Sequence, residues 1–282
     1  MKIKSSTMDK VFVTCNTIFL VLFVTITLYP VLNTVALSFN DGVDAVRGGI
    51  HLWPRIFTLS NYKTVLHQQN ILTGAVVSVA RTVLGTIFAL VTNALLAYII
   101  SRKRFLFRSQ LSLFWVITMY VNGGMIPTLV LYRNMNLTNS YAGLIMVYAG
   151  SSGLGYLICK GFFDTVPVAL REAAKLDGAS EARIFFQIVI PMSRPILVYT
   201  IINSFLTPWT DFVVAKMILN SGVSSDWTVA IGLYNMLQKA LVNSYFSRFC
   251  AGGVLVAVPI SILFVIMQKF YVEGITSGAA KG

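Results

Sequence analysis

Residues 71–100 read ILTGAVVSVARTVLGTIFALVTNALLAYII, with one charged residue, Arg81, and they run directly into Ser101-Arg102-Lys103-Arg104. As a helix at ~1.5 Å per residue this stretch is roughly 45 Å long, more than the ~30 Å hydrocarbon core of a bilayer. A helix satisfies every backbone N–H and C=O within the segment, as lipid demands. Lys and Arg accumulate on the cytoplasmic side of membranes, so the basic triplet marks where the helix ends. The stretch is therefore read as a membrane span that finishes in the cytoplasm.

Working outward, apolar runs recur at 11–38, 109–131, 140–163, 195–219 and 249–271. Each is near or above the ~20 residues that cross a bilayer core. They are too long and too little alternating for barrel strands. The expected fold is an all-α polytopic membrane protein with six transmembrane helices, a tail at 1–10 and one membrane domain over 11–282. Composition agrees. Of 282 residues, 56% are hydrophobic and 11% charged, against about 25% charged in soluble chains. That excludes a soluble enzyme, a disordered chain and a fibrous one.

The net charge of +12 would point to nucleic acid in a soluble protein. Here it follows the positive-inside rule, and no nucleic-acid partner is expected. With the N-terminus inside, fourteen of the 22 basic residues fall in cytoplasmic segments and six outside. Both termini are thus expected in the cytoplasm. No small-residue cleavage site follows the first apolar run, so it reads as an uncleaved span. Cys15, Cys159 and Cys250 lie in or beside apolar stretches without metal spacing, and His51 and His67 have no ligand partners in sequence. There is no G-x-x-x-x-G-K-[ST] loop, carboxylate pair, Ser/His/Asp set or Cys/His set. No catalytic residue, metal or cofactor is assigned to this chain.

The inside connection, 164–194, is too polar to span and too patterned to be a linker. Val168–Leu176 is rich in helix formers. Pro167 suits a helix start and Gly178 a C-cap. Ser180 suits the cap of a second helix holding Ala182, Phe185, Phe186 and Ile188, with Pro191 and Pro195 beyond.

Glu172-Ala-Ala-Lys-Leu-Asp177-Gly178-Ala179, followed by Phe185, Ile188 and Pro191, resembles the "EAA" loop of ATP-binding-cassette importer permeases: E-A-A, three residues, G, then an apolar tail ending in proline. Lys160-Gly-Phe-Phe-Asp-Thr-Val-Pro167, Pro208-Trp-Thr-Asp-Phe212 and Gly274-Ile-Thr-Ser-Gly-Ala-Ala-Lys-Gly282 are similar to the carbohydrate branch of that family, most of all to the smaller maltose/maltodextrin-type permease of Gram-positive bacteria. The resemblance implies a bacterial cell-membrane subunit paired with a second, related permease. It implies two ATPase subunits that bind ATP and Mg, and an extracytoplasmic solute-binding protein. A maltodextrin-like oligosaccharide is the first expected cargo; multiple sugars, polyols or uronic oligosaccharides are alternatives. An ion-coupled secondary transporter is a further rival, though no internal repeat is visible. The loop at 164–191 would be the cytoplasmic coupling helix between the fourth and fifth spans. Glu172, Ala173, Ala174, Asp177, Gly178, Ala179 and Phe185 would meet the ATPase. Small faces permit close entry into a cleft, and the carboxylates can meet cations there. The bland reading, a helix lying on the membrane, suits Glu172, Asp177 and Glu181 poorly beside anionic lipid.

Arg81 and Asp211 fall at comparable depth inside spans, where charge usually faces a cavity or a partner. Two readings stand. In one, Asp211, Trp209, Asn203 and Tyr148 line the sugar pathway. In the other, Arg81 snorkels outward and Asp211 is structural, pairing Arg81 or capping a break after Pro208. Gly123-Gly124-Met-Ile-Pro127 reads as a kink or an outward hinge in the third span. Gly143, Gly150, Gly153 and Gly155 give the fourth span faces for close packing or for sugar.

Overall fold

The computed structural model describes residues 7–121, 123–150, 152–219, 228–240 and 245–279, of which 69–70, 239–240 and 271–279 by backbone alone. The start of the N-terminal tail, parts of the 220–248 connection and the last residues of the segment 274–282 lie outside these ranges. The described residues are helical apart from connections and one isolated antiparallel bridge, Asn40 with Phe57. In chain order the helices are α1 Thr7–Ser38, α2 Gly42–Ala45, α3 Ser60–His67, α4 Gln69–Ser101, α5 Arg108–Tyr120, α6 Met125–Asn134, α7 Tyr141–Ala149 and α8 Gly153–Asp164. Then follow α9 Val168–Leu176, α10 Glu181–Ile184, a π-helical turn Phe185–Val189, α11 Ile190–Met192, α12 Arg194–Thr210, α13 Val213–Ile218, α14 Val229–Ala240 and α15 Phe246–Ala279.

Among the described residues three helices are long and apolar enough to cross a membrane: Thr7–Ser38, Ile71–Ser101 and Phe246–Phe270. Three bent helix pairs bring the number to as many as six if each pair is one span. The chain divides into two compact units, 1–68 with 233–257, and 69–232 with 258–282.

In the first unit α1 exposes its apolar side chains all round, as a helix facing lipid does. Its threonines hide their hydroxyls: Thr14, Thr17, Thr25 and Thr34 each donate to the carbonyl four residues back. The connection after it is tied by polar side chains. Buried Asn40 donates to Asp44 Oδ2 (3.0 Å) and accepts from the Ile56 amide, while Asn61 donates to the Ser38 and Asn40 carbonyls. The Asn40 amide, followed by Arg55, holds the Asp44 carboxyl below its usual range. Phe39 stacks on Phe57 at 5.5 Å.

The second unit is organised by α4, which packs on α5, α7, α8 and α12. The reason is legible in its sequence. Ser78, Thr82, Thr86, Ala89, Asn93 and Ala97 recur at helical spacing, and all are buried. Small residues let backbones approach closely. The opposite face, with Val83, Leu84, Ile87, Phe88, Val91 and Leu95, is exposed and apolar. Interhelical hydrogen bonds fix the contacts: Thr86 Oγ1 to the Ser204 carbonyl, and Tyr156 Oη to Ser112 Oγ. One core holds Ala97, Ile100, Tyr156, Phe163, Ile184, Phe185 and Val189; a second holds Leu144, Ala215, Ile218 and Ile231.

Three of the runs read as single spans are divided. The run 109–131 becomes α5 and α6, with Gly124 at φ +87°, a conformation that glycine adopts without a Cβ penalty. The run 140–163 becomes α7 and α8, capped by Ser140 on the Gly143 amide and by Ser152 on the Gly155 amide. The run 195–219 ends as α12 at Thr210 and restarts as α13 at Val213. At the start of α12 the chain turns by 85° between Met192 and Arg194. Pro195 accounts for the turn, because it has no N–H to continue the ladder and its ring crowds the preceding turn. Pro191 does not stop the preceding helix, which continues through the π turn to Met192.

Close packing is the use made of Gly153. A Cβ there would overlap Met119 and stand 2.7 Å from the Trp115 carbonyl oxygen, whereas nothing lies within 4 Å of a Cβ at Gly150. Gly153→Ala is expected to cost about 1–3 kcal/mol through overpacking against α5, and Gly150→Ala to be nearly silent. Thermal unfolding of the two variants in one detergent checks the contrast; equal midpoints would refute it.

Candidate functional site

Two regions carry the residues singled out from sequence. The first is a cavity of about 440 Å³ among α4, α7, α8 and α12. Tyr148 and Asn203 both line it, together with Asn93, Ser152, Ser204 and Thr207, which sequence reasoning missed. The signal for Asn93 is its place in the small-residue stripe of α4. Asn93 donates to the Ala89 carbonyl at 2.8 Å and Asn203 to the Tyr199 carbonyl at 3.0 Å, which orients both amides. A Cβ on Gly155 would stand 3.0 Å from Asn93 Oδ1, so a glycine there leaves the amide its room. The described lining contains no Asp, Glu, Lys, Arg or His. Its chemistry is that of amides, hydroxyls and the rings of Tyr148 and Tyr199.

Trp209 and Asp211 do not line this cavity. Trp209 is buried and stacks on Phe205 at 5.8 Å. Asp211 closes a helix break. Its Oδ1 accepts from the Val214 amide and its Oδ2 from the Ala215 amide, both at 3.1 Å. Arg81 does not snorkel outward: it is 1% exposed. Its Nη2 donates to the Pro208 carbonyl and, at 2.7 Å, to the Asp211 carbonyl, while Nη1 stands 3.9 Å from Asp211 Oδ2. A helix that stops inside a membrane leaves carbonyls unpaired, and a cation at its C-terminus also meets the negative end of the helix dipole. Arg81 supplies both needs from the neighbouring α4, and its guanidinium lies 5.8 Å from the centre of the Tyr148 ring.

The second region is the element 164–193. α9 ends in a Schellman motif: the Ala179 amide bonds to the Ala174 carbonyl (2.9 Å), the Gly178 amide to the Lys175 carbonyl (3.0 Å), and Gly178 has φ +75°. Ser180 Oγ then accepts from the Arg183 amide and starts α10. Glu172, Ala173, Asp177 and Gly178 are exposed, whereas Ala174 and Ala179 pack partly against the core. Phe185 faces inward, 5% exposed, with its ring 4.8 Å from that of Tyr98. The exposed aromatic is Phe186, and Leu176 is 90% exposed. The exposure of Leu176 was not read from sequence; α9's helical spacing puts it on the same outer face as Ala173.

A charged clamp joins this element to the end of α4. Arg102 pairs with Glu181 and donates to Tyr98 Oη, Tyr98 Oη donates to Glu181 Oε2 at 2.8 Å, and Lys175 Nζ lies 2.7 Å from Glu181 Oε1. Arg102 of the basic triplet after α4 is thus the residue that ties α4 to this element.

The described residues thus form a polar cavity among apolar helices and a polar helical tip tied by ion pairs to the end of α4. Residues 81–276 match the family of binding-protein-dependent transport system inner membrane components, and the chain belongs to that family. It is similar to the galactooligosaccharides transport system permease protein of Bacillus subtilis, 34% identical over 91% of each chain. It is also similar to the maltodextrin transport system permease protein of Streptococcus pneumoniae, 37% identical over 70% of this chain and 72% of that one. Among solved structures, a chain of a bacterial ABC transporter involved in import of the acidic polysaccharide alginate superposes with a TM-score of 0.86 at 23% identity, covering 96% of this chain and 100% of that one.

The helix break makes a prediction. Arg81→Met would strip donors from two carbonyls and leave Asp211 without its cation, at a cost of about 3–5 kcal/mol. Arg81→Lys should recover only part of it, since one ammonium cannot reproduce the guanidinium fork. Thermal unfolding in detergent measures both; full stability of the Met variant would show that the carbonyls need no such donor.

Proposed function

We propose that this chain is the permease subunit of an ATP-driven, binding-protein-dependent importer of a neutral oligosaccharide. It forms half of the translocation pathway, and a second, related permease forms the other half. The observation that carries the reading is the cavity among α4, α7, α8 and α12, furnished with amides, hydroxyls and tyrosine rings and with no ionised side chain in its described lining. Amides and hydroxyls exchange hydrogen bonds with sugar hydroxyls, and aromatic rings pack on sugar faces. An acidic glycan would need cations there. Of the cargoes printed for its relatives, galactooligosaccharides and maltodextrin are neutral while polygalacturonan and alginate are acidic, so the preference for a neutral glycan rests on the cavity lining. Maltodextrin-like chains stay a leading candidate, with galactose-based oligosaccharides beside them. Tyr148 and Asn203 contact the cargo, joined by Asn93; Asp211 and Trp209 hold the wall behind them.

In this reading six spans cross the cell membrane with both termini in the cytoplasm. α9 and its glycine turn are the EAA coupling helix, seated in one of two ATPase subunits that bind ATP and Mg. The exposed Glu172, Ala173, Asp177 and Gly178 meet that ATPase. Phe185 and the Arg102–Glu181 clamp transmit its movement to α4 and so to the cavity wall. An extracytoplasmic solute-binding protein delivers the sugar.

The test is ATP hydrolysis by the assembly co-purified in mild detergent and reconstituted with its binding protein, across maltodextrins, galactooligosaccharides, oligogalacturonates and polyols. Stimulation by a neutral oligosaccharide is expected, and Asn93→Ala or Asn203→Ala should reduce uptake about tenfold while the assembly stays intact. Stimulation by oligogalacturonates alone would overturn the neutral-cargo reading; failure of any ATPase to co-purify would overturn the importer itself. Glu172→Ala and Gly178→Ala should uncouple hydrolysis from uptake, the latter by straining the turn by about 1–2 kcal/mol. Gly178→Asn should uncouple less. Unchanged coupling in all three would move the ATPase contact elsewhere.

A further inference from the structure

A second hollow, of about 540 Å³, opens where α4 ends, α5 begins, and α8 hands over to α9. Six cations line it: Arg102, Lys103, Arg104, Arg108, Arg171 and Lys175. The three carboxylates that share it do not balance them. Glu181 is taken by Arg102 and Lys175, and Asp164 by Lys160. Only Glu172 is left to face Lys103, Arg104, Arg108 and Arg171.

Arg171 is the informative residue. It is 8% exposed, so its charge is largely removed from water. Its Nη2 reaches only the Val166 carbonyl, at 3.5 Å, and its Nε finds no acceptor among the described residues. Burial lowers the Arg102 pKa, and although Tyr98 opposes this, the neighbouring charge of Arg171 lowers it further. The two guanidiniums stand near enough to repel, and of the pair Arg102 has a carboxylate, Glu181, whereas Arg171 makes no ion pair among the described residues. A buried cation without a partner is expensive, and an anion entering the hollow would remove that cost.

We propose that this hollow is a binding site for a phosphate group, held by Arg171 and Arg104 with support from Arg108 and Lys103, and that its occupancy steadies the element 164–193 against the end of α4. Two sources share this chemistry: the headgroup of an anionic phospholipid and a free phosphate. The position suits a headgroup. The hollow sits at the ends of apolar helices, and basic pockets between membrane helices take such groups. Beside it Leu106 is 88% and Phe107 61% exposed, apolar side chains placed to sit among acyl chains while the arginines hold the phosphate. The acidic tip at Glu172 and Asp177 does not oppose this, because the cations outnumber the free carboxylate in the hollow. Guanidinium forks match phosphate oxygens two at a time, which favours phosphate over a simple halide.

The experiment uses the full chain purified in detergent, exchanged into phosphatidylcholine nanodiscs with or without phosphatidylglycerol, and read by native mass spectrometry for retained lipid. A parallel arm titrates inorganic phosphate into the phosphatidylcholine sample and follows thermal unfolding. Retention of phosphatidylglycerol over phosphatidylcholine, reduced at least about tenfold in Arg171→Gln by loss of a charge-assisted hydrogen bond, supports a lipid headgroup. A stabilising shift with inorganic phosphate, lost in the same variant and without lipid selectivity, supports a free phosphate. Should Arg171→Gln fail to fold, the exposed Arg104→Gln decides, with a smaller loss expected. Equal retention of the two lipids with no phosphate shift, or retention unchanged in every folded variant, overturns the proposal. None of these readouts involves sugar or ATP, so they stand apart from the importer reading.

Discussion

Lipid offers no hydrogen bonds, so every backbone group that a broken membrane helix frees must find a partner within the protein. That constraint explains the side chains that look least at home in this chain. Arg81 is buried because Pro208 and Asp211 end a helix and expose carbonyls, and Asp211 turns back because the next helix opens with unpaired amides. Ser140 and Ser152 repeat the device at the starts of α7 and α8. The break between α7 and α8 is closed by Ser152 and that between α12 and α13 by Asp211 with Arg81 of α4, and the polar cavity lies among α4, α7, α8 and α12.

The same helix links that cavity to the polar tip. α4 carries the small-residue stripe that admits its neighbours, Asn93 at the cavity, and Tyr98 and Arg102 at the clamp on Glu181. In the importer reading proposed above, a displacement of α9 reaches α4 through the clamp and the buried Phe185. Packed cores respond to such a push by switching between arrangements, not by gradual deformation. The π turn at Phe185–Val189 lies in this path, and such bulges are frequent at functional places in helices.

Much of the architecture was legible. The apolar runs, the basic triplet after residue 101, and the Pro167–Gly178–Ser180 punctuation are local signals, and α1, α4 and α9 start and stop within a few residues of where they point, whereas the runs 109–131, 140–163 and 195–219 are each divided in two. Of the residues that line the cavity, Tyr148 and Asn203 are singled out by sequence, because they are polar or aromatic groups within apolar runs. Asn93 was passed over because one amide within an apolar run carries no mark until its neighbours at helical spacing are read as a packing face. Phe185 was read as an outward contact. It faces inward against Tyr98 of α4, a contact between segments far apart in the chain.

What the sequence determined by itself is what depends on near neighbours along the chain: helicity, and a glycine where a helix must turn with positive φ. Only the tertiary structure decided that Arg81 caps a helix 127 residues away, that Trp209 packs into the wall, and that the arginines flanking α4 and α9 meet round one hollow. The physical reason is that these are encounters between distant segments. Burial sets their strength, and burial does not exist until the helices have packed.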